Sequence, residues 1–141
     1  MPLAAIDAFA KANASRMLSI LRIMTGLVFM QHGLQKLIGF PPPATPGPAR
    51  DFLALGGGLH GLGEAVGGLL ILLGLFTRPV AFLLSGEMAF AYFISHAPRN
   101  FYPALNGGNL AIMYCFVFLY FAFVGGGVWS LDARRSGSAA A

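Results

Sequence analysis

The side chains of this 141-residue chain that could do chemistry fall into a few tight groups. His32, Gln35 and Lys36 lie within "FMQHGLQKLIGFPPP" at i, i+3 and i+4, a spacing that puts all three on one helix face. His60 and Glu64 stand four apart, and Glu87 lies isolated between Pro79 and His96. His96, Arg99 and Asn100 come next, followed by "NGGN", Asn106 to Asn109. Carboxylates, imidazoles, an amine and a guanidinium are groups that hold and pass protons and donate to the oxygens of a polar ligand. His32, Glu64 and Glu87 are the candidate proton-handling residues. Gln35, Lys36, His96, Arg99, Asn106 and Asn109 are the candidate ligand-binding residues. His32, His60 and His96 form no local pair with a spacing such as HxxxH, so no metal site is expected. Cys115 is the single cysteine, which leaves no internal disulfide or dithiol cycle.

The segments carrying these groups are very apolar. Hydrophobic residues make up 57% of the chain and charged residues 10%, with a mean hydropathy of +0.72, whereas soluble domains carry about a quarter charged residues. Apolar stretches of about 20 residues recur, each able to cross roughly 30 Å of hydrocarbon as a helix. The pattern predicts an all-α integral membrane protein, an up-down four-helix bundle with spans near 17–40, 60–76, 79–96 and 104–124. Residues 1–16 are then a cytoplasmic N-terminal segment and 128–141 a cytoplasmic tail. Residues 1–16 lack an apolar h-region and a cleavage site, so the first span is expected to be retained. Ser15 is its N-cap candidate, and "PPPATPGP" ends it. The loop at 41–59 is expected to carry a short interfacial turn around "ARDFLAL", "TRP" at Thr77 to Pro79 to turn into the third span, and "GGG" at Gly125 to Gly127 to end the fourth.

Cation placement sets the orientation. With the N-terminus inside, Lys11, Arg16, Arg22, Arg78, Arg134 and Arg135 lie on the inner side and Lys36, Arg50 and Arg99 on the outer, six against three. These cations are scattered and form no basic stripe, which argues against nucleic acid as a partner. Gly57, Gly61, Gly63, Gly67, Gly68 and Gly74 stud the second span. The small-xxx-small spacing at Gly57/Gly61 and Gly63/Gly67 admits another backbone, from within the bundle or from a second copy in a homo-oligomer.

Thirteen residues separate Arg22 from Lys36, about 21 Å of helix, which is shorter than the hydrocarbon core. Arg22 is expected to snorkel to the inner headgroups, and Lys36 to look into the bundle with His32 and Gln35. Glu87 falls near the bilayer centre and must be protonated, paired or facing water. Depth alone suggests His32 as its partner. The polar groups of all four helices thus converge on the outer half of the bundle, and the inner half is expected to be lined by Leu, Ile, Val and Phe. The aromatic run "MYCFVFLYFAF" reads first as lipid- or core-facing bulk and second as a stacking surface for a quinone ring.

The blocks "LRIMTGLVFMQHGLQKLIGFP", "GEAVGGLLILLGLFTRPVAFLLSGEMAFAYF", "HAPRNFYPALNGGN" and "WSLD", from Leu21 to Asp132, resemble the DoxX family of small bacterial four-helix membrane proteins. The family's "HGxQK" falls on His32, Gly33, Gln35 and Lys36, its helix-two and helix-three acids on Glu64 and Glu87, and its "NGG" on Asn106, Gly107 and Gly108. The chain has Asn109 where a glutamate is common, and "GGG" where "GPG" is usual. The resemblance implies a membrane subunit of a quinone-linked redox system in the bacterial inner membrane. A quinone's carbonyl oxygens would meet Lys36, His32 or Gln35, while Glu64 and Glu87 manage the accompanying protons. The chain carries no motif for a haem, flavin or iron–sulfur cluster, so electrons would come from a partner redox protein. Two other readings stand beside this one: a non-catalytic scaffold or accessory subunit of a larger membrane complex, and a small-solute or proton pathway.

Overall fold

Glycine and proline set the limits of the long helices. The computed structural model describes residues 2–43, 52–53 and 57–137, and these are helical with no strand among them. The helices are α1 (Pro2–Ile38), α2 (Gly58–Leu73), α3 (Thr77–Ala91), α4 (Pro103–Asn106), α5 (Asn109–Val124) and α6 (Leu131–Arg135), with a π-helical turn, Tyr92–His96, prolonging α3. α1 gives way to Gly39 at φ 68°. α2 closes on Gly74 at φ 67°, with Leu75 N donating to Leu70 O across the turn. α5 ends at Gly125, φ 88°.

Several boundaries differ from those expected. α1 runs unbroken through 37 residues, roughly 55 Å, so residue 17 marks no break. Among the described residues, α1 alone is long and apolar enough to cross a membrane unaided; α2 and α5 are apolar but shorter. Thr77 begins α3 instead of forming the turn, which falls at Gly74–Phe76, and Pro79 sits in the first helical turn, where its missing N–H costs nothing. The fourth long helix starts at Asn109, not 104, because Gly107 at φ 74° separates α4 from α5. The turn expected at 49–55 lies outside the described residues except for Phe52 and Leu53.

α1 and α2 run antiparallel with their backbones nearly touching. A Cβ at Gly26 would lie 2.5 Å from Leu72 N, and one at Gly68 would lie 2.7 Å from Met30 N. A Cβ at Gly33 would strike Ala65 N, and one at Gly61 would lie 2.7 Å from Lys36 Cβ. Gly26/Gly33 and Gly61/Gly68 are therefore two facing pairs, each with a seven-residue interval that keeps them on one stripe. The glycine spacing within α2 pointed to close approach, and the structure supplies the partner inside the chain. Gly67, by contrast, faces Leu84 of α3. Phe29, Ile71, Ala81, Leu84, Met88, Tyr114, Phe118 and Phe121 form one core from all four long helices. The aromatic run of α5 divides by face, with Tyr114, Phe118 and Phe121 inward and Phe116, Tyr120 and Phe123 exposed. Exposed Met24, Val66, Phe82, Phe90 and Phe123 spread over the outer faces of these helices make a surface suited to hydrocarbon.

Arg22 overturns two expectations at once. It does not snorkel: it is fully buried, with 0% exposure, and its guanidinium is spent on backbone carbonyls. Nε donates to Gly126 O at 2.7 Å, Nη1 to Ile71 O and Leu72 O at 2.6 and 2.5 Å, and Nη2 to Trp129 O at 3.2 Å. A cation thereby caps the C-terminus of α2, where the orphaned carbonyls and the helix dipole favour positive charge. Arg78 does the same for α5, donating to Ala122 O and Phe123 O. Asp132 caps the N-terminus of α3, accepting from Phe76 N at 2.8 Å and Thr77 N at 2.7 Å. Burial pushes the Asp132 carboxyl up, but the hydrogen bonds from Thr77 and Phe76, with the Arg135 charge nearby, outweigh that and hold it below the usual value. Ser15 and Ser19 accept from Val128 N and Trp129 N. The half of the molecule expected to be lined by Leu, Ile, Val and Phe is thus laced by a second polar network, with Val128 and Trp129 docked to α1 and Asp132 to the turn between α2 and α3.

Candidate functional site

At the opposite end, the C-terminal part of α1 meets the start of α2, the end of α3 and the start of α5. The glycine contacts decide what approaches there. With Gly33 and Gly61 removing side chains between α1 and α2, Lys36 reaches across to Glu64, its Nζ 2.7 Å from both Oε1 and Oε2. The Glu64 side chain is 5% exposed and that of Lys36 26%. His60, one turn before Glu64, lies 3.3 Å from Glu64 Oε1 through Nε2 and 2.8 Å from Glu87 Oε1 through Nδ1. Both ring nitrogens face carboxylates, the arrangement in which an imidazolium donates twice. Gly63 leaves room for Glu87, since a Cβ there would sit 3.2 Å from Oε1.

The result is a chain of charges, Lys36–Glu64–His60–Glu87, that joins α1, α2 and α3. Glu87 is paired, as its depth demanded, but with His60 and not with His32. His32 packs edge-on against Tyr114, ring centroids 6.2 Å apart.

Beside this chain opens a cavity of about 400 Å3. Lys36, His32, His60 and Glu64 line one side, and Ser95, His96 and Arg99 another, with Phe29, Met88, Leu110 and Tyr114 as an apolar wall. The π-helical turn brings Ser95 and His96 to it, consistent with the frequent placement of such turns at sites of function. His96 Nδ1 lies 3.1 Å from Asn106 O, and its ring stacks on Tyr92.

Three expected binding residues have other partners or positions. Gln35 Nε2 donates to Pro41 O at 3.0 Å and so fastens the end of α1 to the following loop. Asn106 is buried and holds the α4–α5 turn: Nδ2 donates to Asn100 O at 2.9 Å, and Oδ1 accepts from Gly108 N at 2.7 Å. Asn109 is exposed at the first turn of α5 and does not line the cavity. Phe29, Met88 and Tyr114 were not picked out individually. Tyr114 carried a signal, because Leu110, Tyr114 and Phe118 recur every four residues along one α5 face.

The DoxX family model matches residues 17–97. An uncharacterised protein of Haemophilus influenzae is 44% identical over 122 residues, covering 83% of this chain and 89% of the relative. An uncharacterised membrane protein of Mycobacterium tuberculosis is 30% identical over 138 residues, covering 86% of this chain and 82% of its own length. No solved structure matches.

Proposed function

The chain belongs to the DoxX family and is a membrane protein, and from that premise we propose that it serves as a membrane subunit of a quinone-linked redox system. In this reading α1, α2, α3 with its π-helical turn, and α5 cross a bacterial inner membrane as an up-down four-helix bundle. Both termini are cytoplasmic and the polar cavity lies in the outer half. The observation that carries the proposal is the composition of the cavity: cationic and imidazole donors from α1 and from the segment after α3 face an aromatic and aliphatic wall, in a space of about 400 Å3. A flat ring with carbonyl oxygens fits that donor set, and when bound it supplies two-electron chemistry. The electrons come from a partner redox protein.

The chain's own residues hold the ring and handle protons. Lys36, Arg99 and His96 would donate to carbonyl oxygens, and Phe29 and Tyr114 would supply the apolar wall that excludes water. Glu64 is buried at the cavity, whereas the Glu87 side chain is 22% exposed. A proton accepted at Glu87 can therefore pass through the His60 imidazole to Glu64 and so to the ring. His32, against Tyr114 on the cavity side, is a second proton-handling group.

The test is quinone binding and coupled reduction by purified protein with its partner. Lys36→Met should weaken binding about 10- to 100-fold, the loss of one charge-assisted hydrogen bond. Glu87→Gln should leave binding close to wild type and slow reduction. Unchanged binding and turnover in both variants would overturn the proposal. A second reading, a non-catalytic scaffold, is favoured by the complete pairing of the Lys36–Glu64–His60–Glu87 chain, which would fix helix register. Under it, partner retention and stability respond to these variants, and no quinone binds.

A further inference from the structure

The polar cavity has an apolar annex on the lipid side. α1 and α5 are bridged by rings, Phe29 packing edge-on against Tyr114 and Phe118 at centroid distances of 5.0 and 4.8 Å. Outside those rings a groove of about 280 Å3 runs between the two helices, with Met24 and Val28 of α1 facing Met113 and Val117 of α5. It ends at Leu110 and Tyr114, the two residues that also line the polar cavity. From Met24 to Lys36 the groove and cavity together follow roughly 18 Å of α1. Met24, Val28, Leu110 and Met113 are exposed on the apolar outer surface, so this seam opens toward hydrocarbon. The cavity's other limit is polar, formed by the exposed Ser95 and Arg99.

We propose that the cavity is loaded from the membrane through this seam. The head of a tailed quinone passes Leu110 and Tyr114 into the cavity, and its linear isoprenoid tail remains between α1 and α5. The proposal rests on the quinone reading of the cavity and narrows it to quinones that reside in the bilayer. The physical argument is about access more than attraction. Lipid is as apolar as the groove, so lying in it adds little affinity; but a molecule whose tail cannot enter water can seat its head only if the tail has a lateral way out. Without the seam, a long tail would have to pass the polar mouth at Arg99, which desolvates charge and exposes hydrocarbon.

Two probes separate the possibilities: a benzoquinone with one isoprene unit and the same headgroup with a long polyisoprenoid tail, each titrated into the full chain in phospholipid nanodiscs. Val28→Trp and Met113→Trp fill the seam from opposite walls, at exposed positions that tolerate bulk. Each should weaken binding of the long-tailed probe at least about tenfold and leave the short-tailed probe within about twofold of wild type, a result that also certifies the fold. Lys36→Met should weaken both probes together.

Equal affinity of the Trp variants for both probes, with Lys36→Met still weakened, would overturn lateral loading and leave the cavity assignment standing. Failure of both probes to bind wild-type protein would overturn the quinone reading and lateral loading with it, and binding of the short-tailed probe alone would overturn lateral loading. Mass spectrometry of the extracted protein adds a last arm. Loss of a retained phospholipid in the Trp variants, with long-tailed affinity unchanged, would make the seam an ordinary lipid site and refute the proposal.

Discussion

Replacing Arg22 by methionine should be among the most destabilising single changes in the chain, and the size follows from its four carbonyl partners. Ile71 O keeps a second donor, Gly74 N, so three acceptors lose theirs: Leu72, Gly126 and Trp129. At about 1–3 kcal/mol for each buried polar group left unsatisfied, the sum spans roughly 3–9 kcal/mol. The lower part applies, because water can reach the exposed Trp129 segment, and the expected loss is about 3–5 kcal/mol. For a chain of this size that is roughly 3 °C per kcal/mol, a fall in Tm of about 9–15 °C. Trp129 is the only tryptophan and sits on the network, so its fluorescence during thermal unfolding in detergent reads the effect directly. Arg22→Lys keeps the charge but not the planar fork of donors and should fall between the two. A Tm for Arg22→Met within about 2 °C of wild type would refute the assignment of Arg22 as a cap and restore the picture of a side chain reaching for headgroups.

The Asp132 cap should be pH-dependent. Its folded pKa lies below the unfolded value of about 3.9, so its contribution is complete above that value and is lost as pH falls through the folded one. Asp132→Asn should be less stable than wild type at pH 6, by about 1 kcal/mol for a damaged N-cap, and the gap should begin to narrow only as melts are taken below about pH 4; a gap that is constant with pH would contradict the cap. In the α1–α2 seam, Gly33→Ala must move two backbones apart and should cost about 1–3 kcal/mol as overpacking. The exposed Gly86, where a Cβ meets nothing within 4 Å, should accept alanine without loss, and equal melting points for the two variants would refute the close glycine contact of α1 with α2.

The amino-acid sequence alone determined that this is an all-helical membrane protein, with His32, Lys36, His60, Glu64 and Glu87 set into its apolar segments. Composition and apolar run length suffice for that, because they measure how much side chain is compatible with water. It also marked Glu87 as a group that must be protonated, paired or facing water and turned Lys36 toward the bundle interior, since charge in an apolar segment is costly wherever the helix lies. Only the tertiary structure decided which partners they take. His60 reaches Glu87 because Gly63 leaves space for the carboxylate, and Lys36 reaches Glu64 because Gly33 and Gly61 let α1 and α2 touch. These outcomes depend on helix rotation and interaxial distance, which one-dimensional spacing does not encode.

Arg22 shows the same limit from the other side. Its depth permitted snorkelling, and nothing local indicated that the end of α2 and the Gly126–Trp129 loop would arrive with bare carbonyls aimed at it. Gln35 and Asn106 looked like ligands for the same reason that they became fasteners: an amide satisfies whichever backbone group the fold brings near. The cavity and its lipid-side seam belong wholly to the three-dimensional arrangement, because a space between helices is made by all of their faces together and is written in no single segment.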